Sequence, residues 1–219
     1  MSMTDLEKKF RKQDLSMTRE PKPGMKLGIT GGIGSGKTSV CRIFSVLGIP
    51  VFFADPEAST IMNTDKKVIE GINNIAGKNI YQDGKLDREL LASLIFTDPE
   101  SLRKVNSLVH PVVFDKFLKW AEEQNTPYVI MEAAILFESG ASELVDRVAT
   151  VYAPVEERIA RVTRRNKLSR EQVIRRMRNQ LDDEEKIKRS DYVINNSEND
   201  MIIPVILRIH DDLITHLNS

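Results

Sequence analysis

Apolar residues fall into two kinds of run along this chain. Short continuous runs ("KLGIT", "PVFFAD", "PYVIMEAA", "RVATVYA" and "DYVINN") predict buried strands. Between them, apolar positions recur at helical spacing. Val40, Ile43, Phe44 and Leu47 trace one face of a helix that begins near Lys37, and Gly48 followed by Pro50 predicts its stop. Helical segments with polar breaks are expected over about 57–76 and 87–123, the second restarting at Asp98-Pro99. A strongly basic helical stretch follows over about 155–181, broken near 166–169, and an apolar-periodic helix closes the chain over about 200–217.

Strands alternating with helices predict an α/β fold with a parallel five-stranded sheet covered on both faces. The helices between the second and third strands predict an insertion that forms a lobe of its own. The expected organisation is a flexible N-terminal tail over 1–24, a core over 25–56 and 126–219, and a helical lobe over 57–125.

Composition narrows the picture. At 219 residues and 41% hydrophobic, the chain is long enough to bury a substantial core. Its 32 basic residues balance 32 acidic ones, so bulk charge gives no pull toward nucleic acid or an anionic membrane. The single cysteine, Cys41, excludes an intrachain disulfide and reads as a small apolar residue inside a helix. No apolar stretch approaches the roughly 20 residues of a membrane span, and the N-terminus lacks the apolar centre of a secretory signal. The expectation is a soluble cytoplasmic protein with no membrane contact and no obligate protein partner.

The chemistry begins at "GITGGIGSGKTSV". Gly31, four residues, then Gly36-Lys37-Thr38 matches the P-loop pattern, with a strand before it and a helix after it. Glycines let successive backbone N–H groups face one concave space, where they bind phosphate oxygens. The helix start adds its positive dipole end. Lys37 is suited to reach the terminal phosphates and the Thr38 hydroxyl to ligate Mg²⁺. ATP with Mg²⁺ is therefore the expected ligand.

P-loops also serve GTPases and transport ATPases. The chain has neither an Asn-Lys-x-Asp base-reading motif nor a Leu-Ser-Gly-Gly signature. Small-molecule kinases remain, with their acceptor lobe and arginine-bearing lid. Asp55 ends the second strand candidate, at the edge where α/β ligands bind. It reads either as a group that accepts or orients the proton of an attacking hydroxyl, or as a cap for a helix beginning after Pro56. Glu132 lies in the third apolar run, where a carboxylate is costly to bury alone. It suits a metal-organising role beside Thr38 or a buried ion pair. The basic stretch holds Arg158, Arg161, Arg164, Arg165, Arg170, Arg175, Arg176 and Arg178. Two or three of these are expected over the phosphates and the rest on a solvated face. An RNA-binding helix is the competing reading, weakened by the lack of interleaved aromatics.

Taken in order, "LGITGGIGSGKTSV", "LGIPVFFAD", "DGKLDRELLASLIF", "LVHP", "ILFESG", "RRMRNQ" and "SDYVINN" resemble the dephospho-CoA kinase family from about Lys26 to the last helix. The resemblance implies ATP-dependent phosphorylation of the ribose 3′-hydroxyl of dephospho-CoA. It implies ATP binding by Gly34, Ser35, Gly36, Lys37, Thr38 and Ser39, and matches Asp55 to the catalytic aspartate. Arg161, Arg165 and Arg176 match arginine positions in and around a lid over about 158–182, with Gln180 closing that motif. Asn196 matches an asparagine expected near adenine. Arg88 and His110 would belong to a CoA-binding lobe over 57–125; without the resemblance, His110 before Pro111 reads as a helix-end or core histidine. Three departures stand out: Phe53-Ala54-Asp55 in place of Asp-Ala-Asp, Ala134-Ile135-Leu136 in place of Pro-Leu-Leu, and Glu132 where many members carry Asp.

Overall fold

The computed structural model describes residues 24–215. The expected flexible tail lies outside these residues except for Gly24, and so does the predicted end of the last helix at 216–217. Five parallel strands, β1 (Met25–Thr30), β2 (Val51–Phe53), β5 (Tyr128–Glu132), β6 (Arg147–Tyr152) and β7 (Tyr192–Asn195), form one sheet in the order β2-β5-β1-β6-β7. These are the five strands read from the apolar runs. The register pairs Phe53 and Ile29 with Glu132, so the carboxyl ends of β1, β2 and β5 finish level. Loops leaving those three strands therefore meet at one edge of the sheet.

Side chains alternate across the sheet with a period of two, and each face is covered by different parts of the chain. Leu27, Ile29, Tyr128 and Ile130 pack against α1 (Lys37–Val46) and α9 (Ile202–Thr215), burying Val40, Cys41, Phe44, Ile206 and Leu213. Val129, Met131 and Phe52 face the inserted helices α2 (Ala54–Thr64), α3 (Lys66–Ala76), α4 (Arg88–Thr97) and α5 (Pro99–Glu122). Asp65, Asp87 and Asp98 cap three of these helices through their carboxylates, accepting from Val68, Leu90 and both Glu100 and Ser101 backbone amides.

Phe117 joins this second core: it is fully buried, 5.4 Å from the Phe52 ring and 6.3 Å from Trp120. Phe117→Ala should cost about 3–5 kcal/mol, read as a lower denaturation midpoint with an unchanged slope. A shift below about 1 kcal/mol would mean the insertion contributes little to folding.

The structure differs from the sequence reading in three places. Asp55 does not end β2 and does not cap a helix. The strand stops at Phe53 and α2 starts at Ala54, with Asp55 in its first turn and Phe53 at the cap position with no side-chain bond. Pro56 is accommodated because the first turn has no partner for its amide anyway. His110 is not at a helix end, because α5 runs through Pro111 for 24 residues, held by buried Val109, Val113 and Phe117. A small hairpin, β3 (Tyr81–Gln82) and β4 (Lys85–Leu86), interrupts the insertion. Its Asp83-Gly84 turn takes positive φ at both residues.

After β6 come α6 (Val155–Asn166), α7 (Arg170–Met177) and α8 (Asp183–Lys188). The break between the first two falls where the sequence placed it. Lys167 takes a left-handed conformation, and Ser169 with Gln172 forms a capping box. Among the described residues, no helix is long and apolar enough to cross a membrane.

Candidate active site

The level carboxyl ends of β1, β2 and β5 open into a cavity of about 850 Å³. One wall is the loop after β1 and the start of α1: Gly34, Gly36, Lys37, Thr38 and Ser39. Gly36 sits at the helix start with φ +96°, a conformation that side chains disfavour. A Cβ there would also collide with the Asn196 amide, which donates to the Ser35 carbonyl at 2.7 Å. The Ser35 side chain is buried within the loop. No side chain caps α1, so its amide end at Lys37 and Thr38 belongs to the cavity wall.

Phe53, Asp55 and Glu132 form the facing wall. Glu132 is 6% exposed, and its Oε1 lies 3.8 Å from the Lys37 ammonium, which also donates to the Gly31 carbonyl at 3.0 Å. Burial pushes the Lys37 ammonium down, while Glu132 and Asp55 pull it back up. The same burial pushes the Glu132 carboxyl above its ordinary range, with Lys37 opposing. Asp55 is open to the cavity yet recessed among protein atoms. That desolvation raises its carboxyl too, and Lys37 again opposes. Glu132 is thus an ion-pair partner of Lys37 and a carboxylate on the cavity wall.

The third wall is α6. Arg161, Arg164 and Arg165, spaced i, i+3 and i+4, put three guanidinium groups on one helical face toward the cavity. Arg161 donates to Glu157 and to the Asn196 carbonyl, both at 2.9 Å, and its Nη1 is buried without a protein partner. A buried donor of that kind suits an anionic ligand. Arg158 behaves differently. It is 3% exposed, donates through Nε to the Ile33 carbonyl at 2.9 Å, and pairs with Asp183. It props the P-loop from behind.

A P-loop under a basic helix serves many kinases, and the rest of the chain decides among them. The sequence model of the dephospho-CoA kinase family matches residues 25–201. The chain belongs to the dephospho-CoA kinase family. A dephospho-CoA kinase of Bacteroides fragilis is 39% identical over 186 residues, spanning 84% of this chain and 91% of that protein. Among solved structures, TT1252 of Thermus thermophilus matches with a TM-score of 0.77 at 33% identity, covering 90% of this chain and all of that one. A dephospho-CoA kinase from Campylobacter jejuni matches with a TM-score of 0.59 at 26% identity, over 88% of this chain and 93% of that one. Nucleotide use follows from membership in this P-loop kinase family.

The candidate site residues named from the sequence fall in several places. Gly34, Gly36, Lys37, Thr38, Ser39, Asp55, Glu132, Arg161 and Arg165 meet in the cavity. Ser35 lies within the P-loop with its side chain buried, and the Asn196 amide braces it by donating to the Ser35 carbonyl. Arg176 is exposed on α7 and is not among the residues lining the cavity. Arg88 and His110 stand apart on the insertion. Arg88 bonds the Ser59 hydroxyl across to α2, while the half-buried His110 ring stacks on Phe114 at 5.9 Å and is pushed toward its neutral form by burial. Arg164 was not singled out within the basic stretch, although its spacing from Arg161 carried the signal. Gln180 lines the cavity and accepts from the Ile33 amide at 2.8 Å.

The donors also fit a magnesium ion. Among the described residues, no cluster of three or more acidic, histidine or cysteine side chains could cage a metal. A hydroxyl and a carboxylate are the kind of donor Mg²⁺ takes from protein, one or two oxygens beside phosphates and water. Thr38 and Glu132 lie on the same cavity.

Proposed function

We infer that this protein transfers the γ-phosphate of ATP to the ribose 3′-hydroxyl of dephospho-CoA, forming coenzyme A in the last step of its biosynthesis. The single observation carrying this reading, beside family membership, is one cavity shared by the P-loop lysine, Asp55 and three arginines. Gly34 to Ser39 cradle the phosphates through backbone amides, with Lys37 as the mobile charge. Thr38 and Glu132 would hold Mg²⁺, which would supply charge neutralisation of the phosphates. Asp55 takes the proton from the 3′-hydroxyl as its oxygen bonds to phosphorus and ADP leaves.

Arg161 and Arg165 stabilise the charge on the moving phosphoryl, and Arg176 joins them from the lid over about 158–182. Asn196 borders the adenine of ATP. Residues 57–125 form the acceptor lobe, where Arg88 supplies charge to the anionic groups of dephospho-CoA and His110 supplies a neutral ring. A cytoplasmic setting, with these two nucleotides as the partners required, belongs to the same reading.

The direct test is to incubate purified protein with ATP and Mg²⁺, with and without dephospho-CoA, and to weigh the product. We expect ADP formation to depend on dephospho-CoA, with one phosphate added to its ribose. Phosphorylation of another nucleoside or small alcohol, with none of dephospho-CoA, would overturn the acceptor and leave the kinase reading in place.

A further inference from the structure

Lys186, in α8, is fully buried, yet it lines no part of the cavity and takes no step in the chemistry above. Burying a lysine is costly unless its ammonium is paired and hydrogen-bonded. Both partners are informative. Its Nζ donates to the Ala134 carbonyl at 3.0 Å and pairs with Glu138 Oε1 at 3.1 Å. Ala134 lies on the cavity wall two residues after Glu132. Glu138 Oε1 also accepts from the Leu181 amide at 2.7 Å. Leu181 follows Gln180, whose side chain accepts from the P-loop amide of Ile33. The Lys186 charge is also felt across the sheet edge, where it pushes the Lys37 ammonium further down.

The lysine therefore sits where the loop after β5 meets the C-terminal root of the arginine-bearing lid. We propose that Lys186 is a positioning residue that locks this root to the loop following β5, directly after Glu132, so that the lid closes in one register and keeps water from the transferred phosphoryl. This rests on the kinase reading above. An ammonium carried on α8 with two fixed acceptors in the loop after β5 is suited to the task, because it ties that loop to α8 while Glu138 also holds the Leu181 amide, without reaching the phosphates. Arg158, at the lid's other root, pairs with Asp183 at the start of α8 and holds the Ile33 carbonyl, so it joins that root to the helix carrying Lys186.

The observable consequence is leakage. An ill-seated lid admits water, which competes with the acceptor hydroxyl for the same phosphoryl group. The experiment measures two rates for each protein: phosphate released to water and phosphate transferred to dephospho-CoA. In Lys186→Met, which keeps the side chain's length and removes its charge, the ratio of release to transfer should rise by about five- to tenfold. Glu138→Ala, which cuts the same link at a partly exposed position, should raise it in the same direction. Combining the two should add less than their product, since they break one chain of contacts.

Because the ratio is internal to each sample, loss of folded protein does not move it. An unchanged ratio in folded Lys186→Met would overturn the proposal. Should that variant fail to fold, an unchanged ratio in Glu138→Ala would overturn it equally. Wild-type protein run alongside keeps the two claims apart, because failure of the kinase reading shows there as absence of transfer.

Discussion

Replacing Lys37 with methionine is expected to lower kcat/KM for ATP by about a hundred- to a thousandfold. Methionine matches the length of the lysine stem, so the change isolates the ammonium. That group is held between the Gly31 carbonyl and Glu132, in a site dry enough to push it toward losing its proton. A charge already held by fixed partners in such a site needs little reorganisation when phosphate charge develops. Its loss also leaves Asp55 and Glu132 without the cation that opposes their burial. Both carboxyls should then hold their protons to higher pH, and the residual activity of the variant should fall off at a higher pH than that of the wild type. Steady-state kinetics across pH, with nucleotide affinity measured separately, would check both effects. Retention of more than about a tenth of wild-type kcat/KM would remove Lys37 from the chemistry.

Asp55→Asn is expected to reduce turnover by about a hundredfold or more while sparing ATP affinity. Asparagine preserves shape and position in the first turn of α2 and removes the ability to take a proton. The sign of the pH effect follows from the environment. Desolvation holds the Asp55 carboxyl above its ordinary value, so its basic form is fully present only at higher pH. Activity should therefore fall as pH drops through a midpoint above the usual range of about 3.9 for aspartate. In the Asn variant the part of the acid limb due to Asp55 should vanish. A variant that turns over at the wild-type rate would assign proton transfer elsewhere.

Much of this was legible in the chain because the relevant signals are local. A glycine-rich loop between an apolar run and a helical periodicity specifies strand, turn and helix together, and the five apolar runs became the five strands. The arginine stretch was harder to read. Adjacent charges look alike in sequence, and packing decides which of them face the cavity. Arg158 read as one basic residue among several, but it is buried and shaped to the back of the P-loop. Lys186 gave no signal, because "DDEEKIK" has the composition of a solvated helix and its burial depends on Ala134 and Glu138, some fifty residues earlier. Asp55 was misplaced by two residues for a related reason. The run "PVFFAD" does not show where the ladder with β5 ends, and that end is set by the length of the partner strand.

The division of the sheet's two faces bears on how this enzyme could acquire a new acceptor. The segment expected to greet the acceptor is also the roof over Phe52, Val129 and Met131. Exchanging it wholesale for the corresponding piece of another kinase would uncover an oily surface and invite aggregation. With residues 57–125 as the proposed acceptor lobe, a substitution that changes specificity without uncovering that surface falls on an outward position such as Arg88, because the inward side is committed to the core it covers.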